Sequence, residues 1–296
     1  MIDLRYHIAS LIGIFLALGL GILIGSTIVS DDLMVDQQSK IIDRLEEQFY
    51  LLREREKELI AENEINNNMI NHYEGFSKTI LPAIVKERLS GKEVAIVVTG
   101  GKEIPADMLN TLNTAGVEIV SETIILPNIN MNDTNIRKNI TEYYELSGIK
   151  TADELQTIIA DNIARIIASD ESCTKVMQTN KLAKFTETNN RPINNVIVLG
   201  GADENSNFFP QSIDQTIINI LISKGVNVYG VESSCAEYSY INEYQKLNIS
   251  TIDNIDLSIG QISLILAMEG KPGHYGIKST ADKFMPTLPI DNIGGQ

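Results

Sequence analysis

Tryptophan is absent from the 296 residues, histidine occurs three times and cysteine twice. Cys173 and Cys235 are too few for a disulfide framework, and spacing alone establishes no bridge, so both are expected to stay reduced. His7, His72 and His274 stand far apart in the chain. No Ser-His-Asp, Cys-His or His-rich zinc pattern can be assembled from them, and no enzyme is expected. Basic residues are outnumbered, 24 Lys and Arg against 39 Asp and Glu, for a net charge of −15 and an isoelectric point near 4.7. That balance excludes the electrostatic footprint of a nucleic-acid partner and is read as solubility. Neither G-x-G-x-x-G nor G-x-x-x-x-G-K-[ST] occurs, so dinucleotide and nucleotide phosphates lack their usual cradles.

One more absence is local: no charged residue interrupts the run from Ile8 to Val29. About 22 residues at about 1.5 Å each span roughly 33 Å, enough for a bilayer core of about 30 Å. A cleaved signal peptide would have a shorter apolar core and a small-x-small site, for which Gly25-Ser26-Thr27 is a poor match. Arg5 before the run and Asp31-Asp32 after it place the amino terminus in the cytoplasm and the rest outside it. Gly21 and Gly25 form a G-x-x-x-G pair suited to close helix packing in the membrane.

Beyond the run, Val35, Ile42, Phe49, Glu56, Asn63 and Ile70 take position a of a heptad, and Gln38, Leu45, Leu52, Leu59, Asn66 and Tyr73 take position d. The pattern predicts a coiled coil, with leucine at d favouring two parallel strands. Asn63 at a would set register, whereas Glu56 at a is a flaw in the seam. The alternative is one amphipathic helix lying back on the folded domain.

After Gly75 short apolar runs alternate with helical segments. Glu93 to Thr99 reads as a strand ending in Gly100-Gly101, Ile104 to Ala115 as a helix entered through Pro105, and Val117 to Leu126 as a second strand. Asn195 to Leu199, ending in Gly200-Gly201, repeats the unit with a helix from Gln211 to Lys224 and a strand from Val226 to Val231. Thr151 to Ser169 reads as an amphipathic helix, Asp170 to Thr188 as a weaker one, and Asn128 to Ile149 as a loop or partly helical insertion. The fold class is α/β: a transmembrane helix and coiled-coil stalk, then a doubly wound, mostly parallel, Rossmann-like sheet. The expected divisions are 1–7 cytoplasmic, 8–29 transmembrane, 31–75 coiled coil and 76–296 extracytoplasmic. Ligands of open parallel sheets bind beyond the carboxyl ends of the strands, so Thr99, Gly100, Gly101, Gly200, Gly201, Asp203, Glu232, Ser233 and Ser234 mark the candidate cleft. A small-solute sensing domain would use it.

Met1-Ile-Asp-Leu-Arg-Tyr-His7, Phe15-Leu-Ala-Leu-Gly19, Gly25-Ser26, Gly91-Lys-Glu-Val-Ala-Ile-Val-Val98, Ser250-Thr-Ile-Asp-Asn-Ile-Asp256 and Gly273-His-Tyr-Gly276 occur in an order that resembles the mycobacterial copper transport family MctB. The terminal motif, with Asp253, Asp256, Gly273, His274, Tyr275 and Gly276, is the most specific part, and Asn128 to Asn190 carries none of it. The resemblance implies an envelope protein of copper homeostasis, described in mycobacteria as an outer-membrane transporter. Related corynebacterial proteins imply a second role, in cell division and peptidoglycan hydrolysis, with a membrane partner that resembles thiamine pyrophosphokinase. The residues themselves offer little to Cu(I): eight methionines are scattered without a Met-x-x-Met cluster, and no Cys or His pair stands at ligand spacing. His274 beside Tyr275 reads as a packing or hydrogen-bonding residue, with metal ligation the alternative. No cofactor is expected, copper enters by resemblance alone, and the partners expected are a second copy in a parallel dimer, the membrane and an envelope or division protein.

Overall fold

The computed structural model describes residues 4–101, 103–148, 150–168, 174–186, 193–205 and 209–288, without the side chains of 27–33. Cys173, the side chains of Asp31 and Asp32, and the first three residues of the amino-terminal motif lie outside the described residues. The chain divides into two units, 1–71 and 72–296.

The first unit is helical from Leu4 onward and belongs to α1 (Leu4–Val85). Its segment Leu4–Ser26 is long and apolar enough to cross a membrane by length and composition.

The second unit opens with the last turns of α1, which run through Gly75 and bury Leu81 and Val85. The expected change of pattern at Gly75 therefore comes later, because these two apolar residues still have a core face to cover. The sheet strands are β1 (Glu93–Val98), β2 (Glu118–Ile125), β3 (Ala183–Phe185), β4 (Asn195–Leu199), β5 (Asn227–Val231), β6 (Ser250–Ile252) and β7 (His274–Tyr275). They lie in the order β3-β2-β1-β4-β5-β6-β7, and only the β2–β3 pairing is antiparallel. The chain winds outward in one direction from β1 and in the other from β4, so the topological switch point falls between these two strands.

Alternation along the strands sends apolar side chains to both faces. Ala95, Val97, Val196 and Val198 pack under α4 (Ala152–Ile167) and α6 (Gln215–Ser223) through Ile159, Ile163, Ile217 and Leu221. Val94, Ile96, Ile197 and Leu199 pack under the end of α1, α2 (Ala106–Thr114) and α8 (Ser258–Glu269) through Val85, Met108, Leu112 and Ile265. Each such side chain contributes on the order of 1.5–3 kcal/mol when fully buried, so continuous apolar strands require helices on both sides. The doubly wound α/β class is what these two cores describe.

Helix α4 starts where its capping box demands: Thr151 Oγ1 accepts from Glu154 N at 3.3 Å, and the Glu154 carboxylate accepts from Thr151 N at 2.9 Å. The Asn-rich stretch after β2 is partly helical, with a 3-10 turn at Pro127–Asn130 and α3 at Thr134–Tyr143. The helix expected over Asp170 to Thr188 is corrected. Among the described residues of that stretch only α5 (Thr174–Thr179) is helical, and β3 follows because Thr123, Ile124 and Ile125 of β2 offer an open edge to Phe185, Lys184 and Ala183.

Candidate functional site

At the switch point the glycines approach one another. A Cβ on Gly100 would stand 1.9 Å from the carbonyl oxygen of Gly201, and one on Gly200 would stand 2.2 Å from the Tyr244 hydroxyl. Gly101 and Gly201 have φ of 77° and 76°, the left-handed conformation that glycine adopts freely. The expected cleft residues Gly100, Gly200, Gly201 and Glu232 are thus brought together. Against Gly200 lie Tyr240 and Tyr244, in edge-to-face contact on and beside α7 (Ile241–Gln245), while Gly201 is met by Ala236 and Glu232. Asp203 is exposed.

A residue outside the expected set occupies the centre. Asp214 ends a π-helical turn, Pro210–Asp214, and is fully buried. Its Oδ2 accepts from Thr99 Oγ1 at 2.8 Å and from the Tyr244 hydroxyl, while Oδ1 is buried without a hydrogen-bond partner among the described residues. Burial pushes the carboxyl up to about 7, against the two hydroxyl bonds, which favour its charged form. Burial and the neighbouring Asp214 charge raise the Tyr244 hydroxyl well above its ordinary value. Burial, with smaller contributions from Asp214 and Glu232, raises Tyr240, whose oxygen accepts from Phe209 N at 3.1 Å. The signal was present in the sequence: Asp214, Ile217, Ile218 and Leu221 follow the i, i+3, i+4, i+7 spacing of a buried face.

Farther along the sheet, Glu232 at the end of β5 is fully buried and accepts from Lys278 Nζ at 2.6 Å, Ser239 Oγ at 2.6 Å and Tyr240 N at 2.8 Å. Ser233 Oγ lies 3.2 Å from the sulfur of Cys235, an exposed thiol. The terminal motif is held by carboxylates. Asp253 accepts from the backbone N–H groups of Ile277 and Lys278 at 2.8 and 2.9 Å, and Asp256 accepts from Ser234 N and Ser234 Oγ, both at 2.6 Å. Gly276 has φ of 148° and no room for a side chain, since a Cβ there would lie 1.9 Å from Asp253 Oδ1. Gly273 is similarly closed by the Tyr275 ring, whose hydroxyl donates to Lys271 O at 3.0 Å.

His274 Nδ1 lies 2.9 Å from Thr251 Oγ1, a side-chain link between β7 and β6. Among the described residues no group of three or more His, Cys, Asp or Glu side chains is placed to hold a metal ion. A hollow of about 660 Å³, lined by Lys92, Tyr229, Leu247, Met268 and Pro272, lies at the other end of the sheet, by the starts of β5 and β6.

In the first unit, Ile42, Leu45, Phe49, Leu52 and Leu59 are 46–65% exposed, and Asn63 is exposed as well. A Cβ on Gly21 or Gly25 would meet nothing within 4 Å. These apolar and glycine faces are open in the single chain.

Comparison with known proteins agrees with this arrangement from end to end. A family described as "Copper transport outer membrane protein, MctB" matches residues 1–286. Proteins named copper transporter MctB, from Mycobacterium bovis and from two strains of Mycobacterium tuberculosis, are each 25% identical over 318 aligned positions, covering 93% of this chain and 96% of theirs. With its apolar amino-terminal helix, its seven-stranded sheet and the terminal Gly-His-Tyr-Gly strand in place, the chain belongs to the MctB family.

Proposed function

We propose that this chain is a single-pass membrane-anchored envelope protein that serves copper homeostasis as an assembly module, without holding the ion tightly itself, and performs no chemistry of its own. Copper is the cargo named for its relatives. The observation that carries the non-catalytic reading is the close packing at the strand-end glycines, where the Gly201 carbonyl lies against Gly100, and Tyr244 and Tyr240 lie against Gly200. The sheet argues against a pore made by the chain alone: a membrane barrel needs closed antiparallel strands facing lipid, whereas these strands are mostly parallel and covered by helices on both faces. The amino terminus is assigned to the cytoplasm and the second unit to the outside.

Assembly falls to the first unit. Its exposed heptad stripe suits a second copy in a parallel two-stranded coiled coil, and Gly21 with Gly25 suits close pairing in the bilayer.

The test is a Cu(I) titration of the intact protein in lipid nanodiscs, under reducing conditions with a competing chelator, beside its mass by light scattering. Two chains per particle without tight stoichiometric copper are expected. Tight binding of about one ion per chain would make the protein a direct copper handler, with the Cys, Met and His side chains as its soft and borderline donors. One chain per particle would overturn the dimer.

A further inference from the structure

The apolar stripe of the first unit is interrupted at Glu56 by a belt of six consecutive charges, Arg53, Glu54, Arg55, Glu56, Lys57 and Glu58. In the heptad that carries Phe49 and Asn63 at a, Glu56 takes the a position between them and Arg55 the adjoining g position. Within the single chain the belt bonds along the helix. Arg55 Nη1 lies 3.1 Å from Glu58 Oε2, and Lys57 Nζ lies 3.0 Å from Glu54 Oε1; Arg55, Lys57 and Glu58 are largely exposed and Glu54 about half so. Glu56 itself is exposed.

A glutamate in a coiled-coil seam is costly when it faces only its own copy, and a polar a residue is kept where it selects a register. In a parallel, in-register pair each a side chain lies beside the a residue and the g residue of the other helix. Resting on the dimer proposed above, we propose that Glu56 and Arg55 are its register key: each Glu56 carboxylate pairs with Arg55 of the partner subunit. Neighbouring registers lack this match. A slip of one heptad puts Gln48 of the partner subunit, uncharged, beside Glu56, and the opposite slip puts Glu62 of the partner subunit, a like charge, there. The belt is therefore self-complementary only when two identical chains run side by side without stagger. This charge pattern commits the stripe to a second copy of the chain. An unlike helix would need its own arginine one position before the seam.

The experiment uses the full-length chain in membranes, with Cys173→Ser and Cys235→Ser and one reporter, Leu59→Cys, cross-linked by oxidation. The reference chain is expected to give a product of twice the chain mass. Glu56→Arg or Arg55→Glu alone should cut it by about tenfold or more, since each puts like charges together in the seam. The exchange Glu56→Arg with Arg55→Glu should restore it to within about twofold, which a merely misfolded helix would not allow. A reference chain that forms no cross-link overturns the dimer itself. A reference chain that cross-links, with single variants unaffected or the exchange failing to rescue, overturns the register key and leaves the dimer standing. A product whose mass is not twice the chain shows another partner and overturns both.

Discussion

Thr99 Oγ1 stands 2.8 Å from Asp214 Oδ2, joining the end of β1 to a fully buried carboxyl group at the point where the strand order reverses. Burial raises that carboxyl from 3.8 to about 7, so the folded protein holds a proton that the unfolded chain has released. The associated stability is complete below about pH 3.8 and is lost as pH rises to about 7. At about 1.36 kcal/mol per pH unit the loss is on the order of 4 kcal/mol. Asp214→Asn keeps the neutral form. Its melting temperature, measured against the parent protein, should gain between about pH 4 and pH 7 and level off above that. A difference that stays flat would mean that Asp214 does not hold this proton.

Lys278, partly exposed, and the fully buried Glu232 form the ion pair that fastens the segment after β7 to the end of β5. Lys278→Met leaves the Glu232 carboxylate buried with two neutral donors and should cost about 3–5 kcal/mol. Adding Glu232→Gln should recover much of that loss. Thermal unfolding of the intact protein in detergent checks both variants, and additive losses would show that the two residues do not act as a pair.

Gly276→Ala forces a methyl group against Asp253 Oδ1 in a backbone conformation that side chains rarely adopt. The loss should exceed about 1 kcal/mol. Because Asp253 holds the N–H groups of Ile277 and Lys278, amide hydrogen exchange should rise first at those two positions. Unchanged exchange there would mean that the segment is held by other contacts.

Gly21→Ile and Gly25→Ile place branched side chains where a Cβ now meets nothing. If the two glycines pair across the bilayer, either variant should lower cross-linking between cysteines placed in the membrane segment while leaving cross-linking through Leu59→Cys intact. Equal efficiency in parent and variants would assign pairing to the stalk alone.

Much of the fold could be read from local pattern. The runs around Ile96 and Ile197 had to be strands covered on both faces, and Thr151 with Glu154 marked the start of α4. β3 was hidden, because three residues become a strand only against the edge of β2. The site was half legible. Gly100 and Gly200 were found as strand-end glycines, but what packs on Gly100 is the backbone of Gly201, about a hundred residues later, and what packs on Gly200 is Tyr240 and Tyr244, about forty residues later. Asp214 carried a helical-spacing signal, yet its meaning depends on Thr99, more than a hundred residues earlier.

Periodicity, charge and length act over a few turns of chain, and these determined the membrane-competent helix, the heptad stripe and the βαβ order. The tertiary structure alone decided that Tyr244 and Tyr240 pack on Gly200, that His274 bonds Thr251, and that Asp214 meets hydroxyl groups rather than a cation. Those outcomes depend on which distant side chains are excluded from water together. Burial of that kind belongs to the packed molecule and to no segment of it.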